Sequence, residues 1–125
     1  MSSELRVDVT EAQNGIAVVA VAGDLDLETG PGLYRGATQV LDEHPVVILE
    51  LSGVGFCDSS GYNTLLRLRR RALEAGGQVV MAAPPPQVTR LLTLTGGDSV
   101  FGVYSTLAEA RAAHQPAADD ERPPH

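Results

Sequence analysis

The chain has 125 residues, 43% hydrophobic and 20% charged, with a net charge of −7. This length and balance predict one globular domain with a real core, and the acidity argues against nucleic acid as a partner. A single cysteine, Cys57, excludes a disulfide framework and a Cys-rich metal site within one chain, and no run approaches the roughly 20 apolar residues of a membrane span.

The N-terminal MSSELRVDVTEA has no basic region followed by an apolar stretch, so a cytoplasmic, reducing compartment is expected and no membrane partner. Leu5 to Thr10 alternates apolar and polar residues, as a half-exposed strand does. Asn14-Gly15 is a turn signal, and Ile16 to Ala22 is a β-branched run that completes a hairpin. The segment GDLDLETG follows and reads as a loop. Pro31 sits in the first turn of a helix reaching Asp42, with Leu33, Ala37, Val40 and Leu41 on its apolar stripe. Val46 to Leu51 reads as a buried parallel strand, and GVGFCDSSG as the loop after it.

A helix is expected from Ser60 to Ala75. Leu65, Leu66, Leu68, Ala72 and Leu73 form its buried face, Arg67, Arg70 and Arg71 lie opposite, and the Arg69 stem lies along the core edge. Gly76-Gly77 caps it. Gln78 to Ala82 is the next strand, Gln87 to Thr95 a short helix, and Ser99 to Tyr104 a last strand. Ser105 is expected to cap a final helix, Thr106 to Ala113, through a box with Glu109. Residues 114–125 carry prolines and acids without apolar period and read as a disordered tail behind a domain of residues 1–113. The order ββαβαβαβα implies an α/β fold: a mixed, mostly parallel sheet of about five strands with about four helices packed on it. Function in such sheets gathers at the carboxyl ends of the parallel strands, which selects GDLDLETG and GVGFCDSSG.

The stretch Asp58-Ser59-Ser60-Gly61 supports three readings. As a helix cap, Asp58 or Ser59 accepts from free N–H groups, worth roughly 1 kcal/mol. One cap does not account for two serines, and Gly61 in a first turn costs about 1 kcal/mol against alanine, which suggests close approach to the backbone. As a nucleophile, Ser59 or Ser60 needs a general base; there is no Gly-x-Ser-x-Gly elbow, and His44, at the end of the first helix, belongs to the far end of the sheet. Asp24, Asp26 and Asp58 converge without a histidine to support a metal ion, so neither metal nor cofactor is expected. As a substrate, an exposed Ser59 is open to another protein, and a phosphate there meets the positive end of the helix dipole. Ser60, one position further in, is expected to commit its hydroxyl to local backbone bonding.

LSGVGFCDSSGYNTLLRL resembles the signature of the STAS domain family. Glu50, Leu51, Ser52, Val54, Phe56, Asp58, Ser59, Ser60 and Gly61 follow the family pattern, with glutamate for the usual aspartate at 50. Gly23, Leu25 and Asp26 match its Gly-x-Leu-Asp turn, and GGQVVMAAPPPQVTRLLTLTG resembles its next strand and short helix. The resemblance covers Leu5 to Ala113. It implies a regulatory protein rather than an enzyme: an anti-sigma factor antagonist whose partners are an anti-sigma factor with serine kinase activity and a serine phosphatase. Ser59 is then the phosphorylated residue, with Asp24, Asp26, Asp58, Ser60, Gly61, Tyr62 and Asn63 at the partner surface. Tyr62 replaces a small aliphatic residue of the pattern and would alter partner choice. The resemblance also admits an assembly or ligand-binding subunit of a stress-signalling complex.

Overall fold

The computed structural model describes residues 3–114. Among them, five strands form one sheet in the order β1-β2-β3-β4-β5. These are β1 (Leu5–Gln13), β2 (Ile16–Leu25), β3 (Val46–Cys57), β4 (Gln78–Ala82) and β5 (Val103–Tyr104). The helices are α1 (Gly30–Leu41), α2 (Ser59–Glu74), α3 (Pro86–Thr95) and α4 (Leu107–His114). The Asn14-Gly15 turn folds β1 antiparallel onto β2, both turn residues having positive φ, and all later pairings are parallel.

Alternation along the strands divides the core. Val19, Val21, Val47, Leu49, Leu51, Val79 and Met81 face α1, α2 and α3, which contribute Leu33, Leu65, Leu68, Val88 and Leu92. Ile16, Val18, Ile48, Val80 and Ala82 face the other way and pack under α4 through Ala110 and Leu107. Each parallel strand lies beside the one before it, so successive right-handed crossovers stack the first three helices on one face.

Several elements depart from expectation. β2 and β3 run to Leu25 and Cys57, so the first three residues of GDLDLETG and the first five of GVGFCDSSG are strand. β4 last pairs at Ala82 with Glu50, while β2–β3 pairing continues to Leu25 opposite Cys57. The two strands thus form a ribbon that projects beyond the sheet. Gly23 at φ +115 belongs to that ribbon; a Cβ there would strike the Glu4 carbonyl.

Where a strand was expected from Ser99, a 3-10 turn (Gly97–Ser99) intervenes and β5 keeps only two residues. Leu73, expected in the core, is 52% exposed. The side chain that caps α4 is Thr106, which accepts from the Glu109 N–H at 3.1 Å, while Glu109 reaches back to the Ser105 N–H at 3.2 Å. The capping pair forms one residue later than expected because Ser105 contributes only its backbone. Of the expected tail, residues 114–125, all but the first lie outside the described residues; His114 instead closes α4 and sets its ring edge-on to Tyr104.

Candidate functional site

The projecting ribbon delivers the site. α2 starts two residues after β3 ends, so the helix N-terminus sits at the ribbon tip. Asp58 is its N-cap: extended backbone, with Oδ1 accepting from the Gly61 N–H at 2.9 Å. The Asp58 N–H in turn donates to the Leu25 carbonyl at 3.3 Å, tying the start of α2 to the end of β2.

Gly61 explains itself in the same place. A Cβ on it would run into the Leu25 carbonyl and side chain. The close approach read from the sequence is therefore made by the chain's own β2. Tyr62 is also turned inward, only 4% exposed, its hydroxyl 2.7 Å from Thr95 Oγ1. The expected surface role of Tyr62 fails on its position, since helical periodicity sends it under α3 while neighbouring Asn63 stays exposed.

Ser59 is exposed at the first position of α2, and Ser60 is half-buried. Ser60 accepts from Thr64 Oγ1 through its carbonyl at 3.4 Å; the bond expected from its hydroxyl to the local backbone is not formed among the described residues. The cap that such a bond would serve is already filled by Asp58.

The aspartates divide by task. Asp26 organises the loop before α1: Oδ1 accepts from the Glu28 and Thr29 N–H groups at 3.0 and 3.1 Å, and Oδ2 from the Ser3 hydroxyl. The Ser3 hydrogen bond foremost, helped by those from Thr29 and Glu28, holds the Asp26 carboxyl below the usual carboxylate range against a desolvation that pushes the other way. Asp24 lies in β2, opposite Phe56, and is half-buried. Among the described residues, no three His, Cys, Asp or Glu side chains gather in a way that could hold a metal ion.

The Cys57 thiol is buried, and burial, with the Asp58 charge second, pushes its pKa up to about 11. It is a protonated, packed side chain rather than a nucleophile. His44 stays near the end of α1, its Nδ1 3.3 Å from the Val40 carbonyl, at the amino end of β3, while Ser59 follows the carboxyl end. His114 is on α4, across the sheet.

Three contributors were not singled out from the sequence as parts of the site. Gln87, at the start of α3, donates from Nε2 to the Gly55 carbonyl at 2.6 Å and accepts the Cys57 N–H at 2.9 Å, standing in for the strand that β3 lacks beyond Glu50. Leu27 and Phe56 are 77% and 47% exposed, one in the loop after β2 and one near the end of β3. Only an apolar residue inside a polar loop could have flagged Leu27, and Phe56 was indistinguishable from a core residue.

Fold and site together define a small α/β module, with three helices on one face of the sheet and one on the other, that presents a serine on an acidic, partly apolar rim. The chain belongs to the STAS domain family, whose model matches residues 9–110. It is 32% identical over 115 residues to the anti-sigma-F factor antagonist RsfB of Mycobacterium tuberculosis, covering 88% of this chain and 91% of that one. It superposes on the crystal structure of an anti-sigma factor antagonist from Mycobacterium paratuberculosis with a TM-score of 0.75 at 31% identity, over 88% of this chain and 93% of the other. The Bacillus cell fate determinant SpoIIAA in its phosphorylated form shares the fold, with a TM-score of 0.69 at 17% identity and coverage of 86% and 98%.

Proposed function

We propose that this protein is an anti-sigma factor antagonist that works by partner switching. Unmodified, it binds an anti-sigma factor that is also a serine kinase, and a sigma factor is released. That kinase phosphorylates Ser59, which ends the complex, and a serine phosphatase restores it. The protein acts as ligand and substrate in the cytoplasm, without catalysis or cofactor of its own. The similarity to RsfB supports the antagonist role, and SpoIIAA offers a protein of the same fold with a phosphorylated form.

The observation that carries the reading is the placement of Ser59. It is exposed at the start of α2, one residue past a cap already filled by Asp58. Its hydroxyl is therefore not needed by the fold. A phosphate on it meets the first-turn N–H groups and the positive end of a 16-residue helix. The partner face comprises Asp24, Asp26, Asp58, Ser60 and Asn63, with Leu27 and Phe56 as apolar anchors. Gly61 and Tyr62 serve it from inside, by seating α2 against β2 and α3. The phosphate adds about −1.5 to −2 charges beside Asp24 and Asp58, and a partner closing over it must desolvate them together.

Incubation with labelled ATP and each candidate kinase of the same genome, followed by peptide mass spectrometry, tests the assignment. Label on Ser59 that disappears in Ser59→Ala is expected. Label on Ser60, or unchanged labelling of Ser59→Ala, would overturn it.

A further inference from the structure

We propose that the outer edge of β1 is a self-pairing surface, through which two copies of this chain join antiparallel about a twofold axis at Val7. Two five-stranded sheets would then continue as one.

β1 is the first strand of the sheet, so one of its edges is open. The Asp24 N–H donates to the Glu4 carbonyl at 2.9 Å, and the register continues with Arg6 opposite Ala22 and Asp8 opposite Ala20. In an antiparallel ladder alternate residues point their backbone groups to opposite sides. Glu4, Arg6 and Asp8 therefore bond to β2, while Leu5, Val7 and Val9 direct their N–H and C=O groups outward. No other described segment pairs with them. The opposite edge of the sheet is a strand of two residues, a usual protection, whereas β1 has nine residues and contains neither proline nor lysine.

The side chains say which strand fits. Arg6 and Asp8 are exposed on one face, and neither has an ion-pair partner among the described residues. On the other face Leu5 and Val7 lean against the core and Val9 is 51% exposed. With Val7 opposite Val7 of a second copy, Arg6 falls opposite Asp8 and Leu5 opposite Val9. The outward backbone groups of these three odd positions then meet as hydrogen-bonded pairs. Arg6 and Asp8 occupy the closer, non-hydrogen-bonded pairs, where side-chain interaction is strongest. A slip of one residue would set charged faces against apolar ones. The pattern reads the same in both directions, which selects a second copy rather than a foreign strand.

The β1–β2 register shifts between Val9 and Glu11 before continuing to Gln13 opposite Ile16, so the intermolecular ladder would stop at Val9. α1 packs across β1, β2 and β3, and α4 across β3, β4 and β5, so neither helix is centred over the open edge. The antiparallel axis points the two Ser59 ends in opposite directions and leaves each rim accessible.

Sedimentation velocity of the full chain up to a few hundred micromolar tests this. A concentration-dependent dimer is expected. Arg6→Asp and Asp8→Arg each place like charges in both symmetry-related pairs, and each should weaken dimerisation by about tenfold or more. An equimolar mixture of the two variants should form a mixed dimer, and the double variant Arg6→Asp/Asp8→Arg should recover the homodimer. General charge repulsion predicts something else: Arg6→Asp weakens association and Asp8→Arg strengthens it. Thermal melts close to wild type establish that both exposed substitutions leave the fold intact. A wild type that stays monomeric throughout, or a dimer indifferent to either single substitution, would overturn the proposal.

Discussion

At the residue scale, the site depends on contacts that leave no room for adjustment. Gly61 lies against the Leu25 carbonyl, so Gly61→Ala must push α2 away from β2. Overpacking of this kind costs about 1–3 kcal/mol, more than the helix propensity alanine gains, and denaturant unfolding should show a net loss of stability. Asp26 offers a test of a different kind. Its carboxyl titrates low chiefly because the Ser3 hydroxyl bonds to it. Ser3→Ala should therefore move that titration upward, read by carboxyl carbon shifts in NMR. The sign follows from linkage: a depressed folded-state value gives stability that is present above the ordinary carboxylate range and is lost as pH falls through the folded-state value. Ser3→Ala should reduce that acid-side loss, not create one.

At the element scale, β3 outruns its neighbour β4, and α3 makes up the difference with one side chain. Gln87 satisfies both the Gly55 carbonyl and the Cys57 N–H. Gln87→Ala leaves two backbone groups without that partner, and a loss of about 1–2 kcal/mol is expected. Hydrogen exchange distinguishes this from general destabilisation, because the Cys57 amide should lose protection more than amides of Val47 to Leu49. The rim that presents Ser59 is thus braced from two sides, by β2 through Leu25 and by α3 through Gln87. α2 is braced again further along, where Tyr62 bonds Thr95 and the Arg67 guanidinium lies 4.4 Å over the Tyr34 ring.

At the scale of the whole molecule, the proposed phosphorylation site stands where added charge should affect association more than folding. Ser59 is exposed and the fold makes no demand on its hydroxyl, so Ser59→Asp should leave the melting temperature nearly unchanged. A negative charge at a helix N-terminus is itself mildly favourable, by about 0.3–1 kcal/mol. Binding to the cognate anti-sigma factor should fall by several kcal/mol where the site is covered, while Ser59→Ala should still bind. Titration calorimetry beside thermal melts separates the two effects. Equal affinity of wild type and Ser59→Asp, or collapse of folding in Ser59→Asp, would rule out a switch based on interface charge.

The order of elements, the parallel sheet and the serine at a helix start were all legible in the sequence, because each is a local pattern. Strand runs of Val and Ile, glycine caps and the Asp58 cap are decided within a few neighbouring residues. Strand length was not legible: GDL and GVGFC read as loop, and only pairing with each other makes them a ribbon. The shortness of β5 and the exposure of Leu73 depend likewise on what lies opposite them. Gly61 carried a correct local signal, a backbone approached closely, but the identity of the approaching group was a tertiary fact. Tyr62 turned inward and Leu27 and Phe56 turned outward for the same reason: hydrophobicity states what a side chain favours, and the packing around it decides whether a buried place exists.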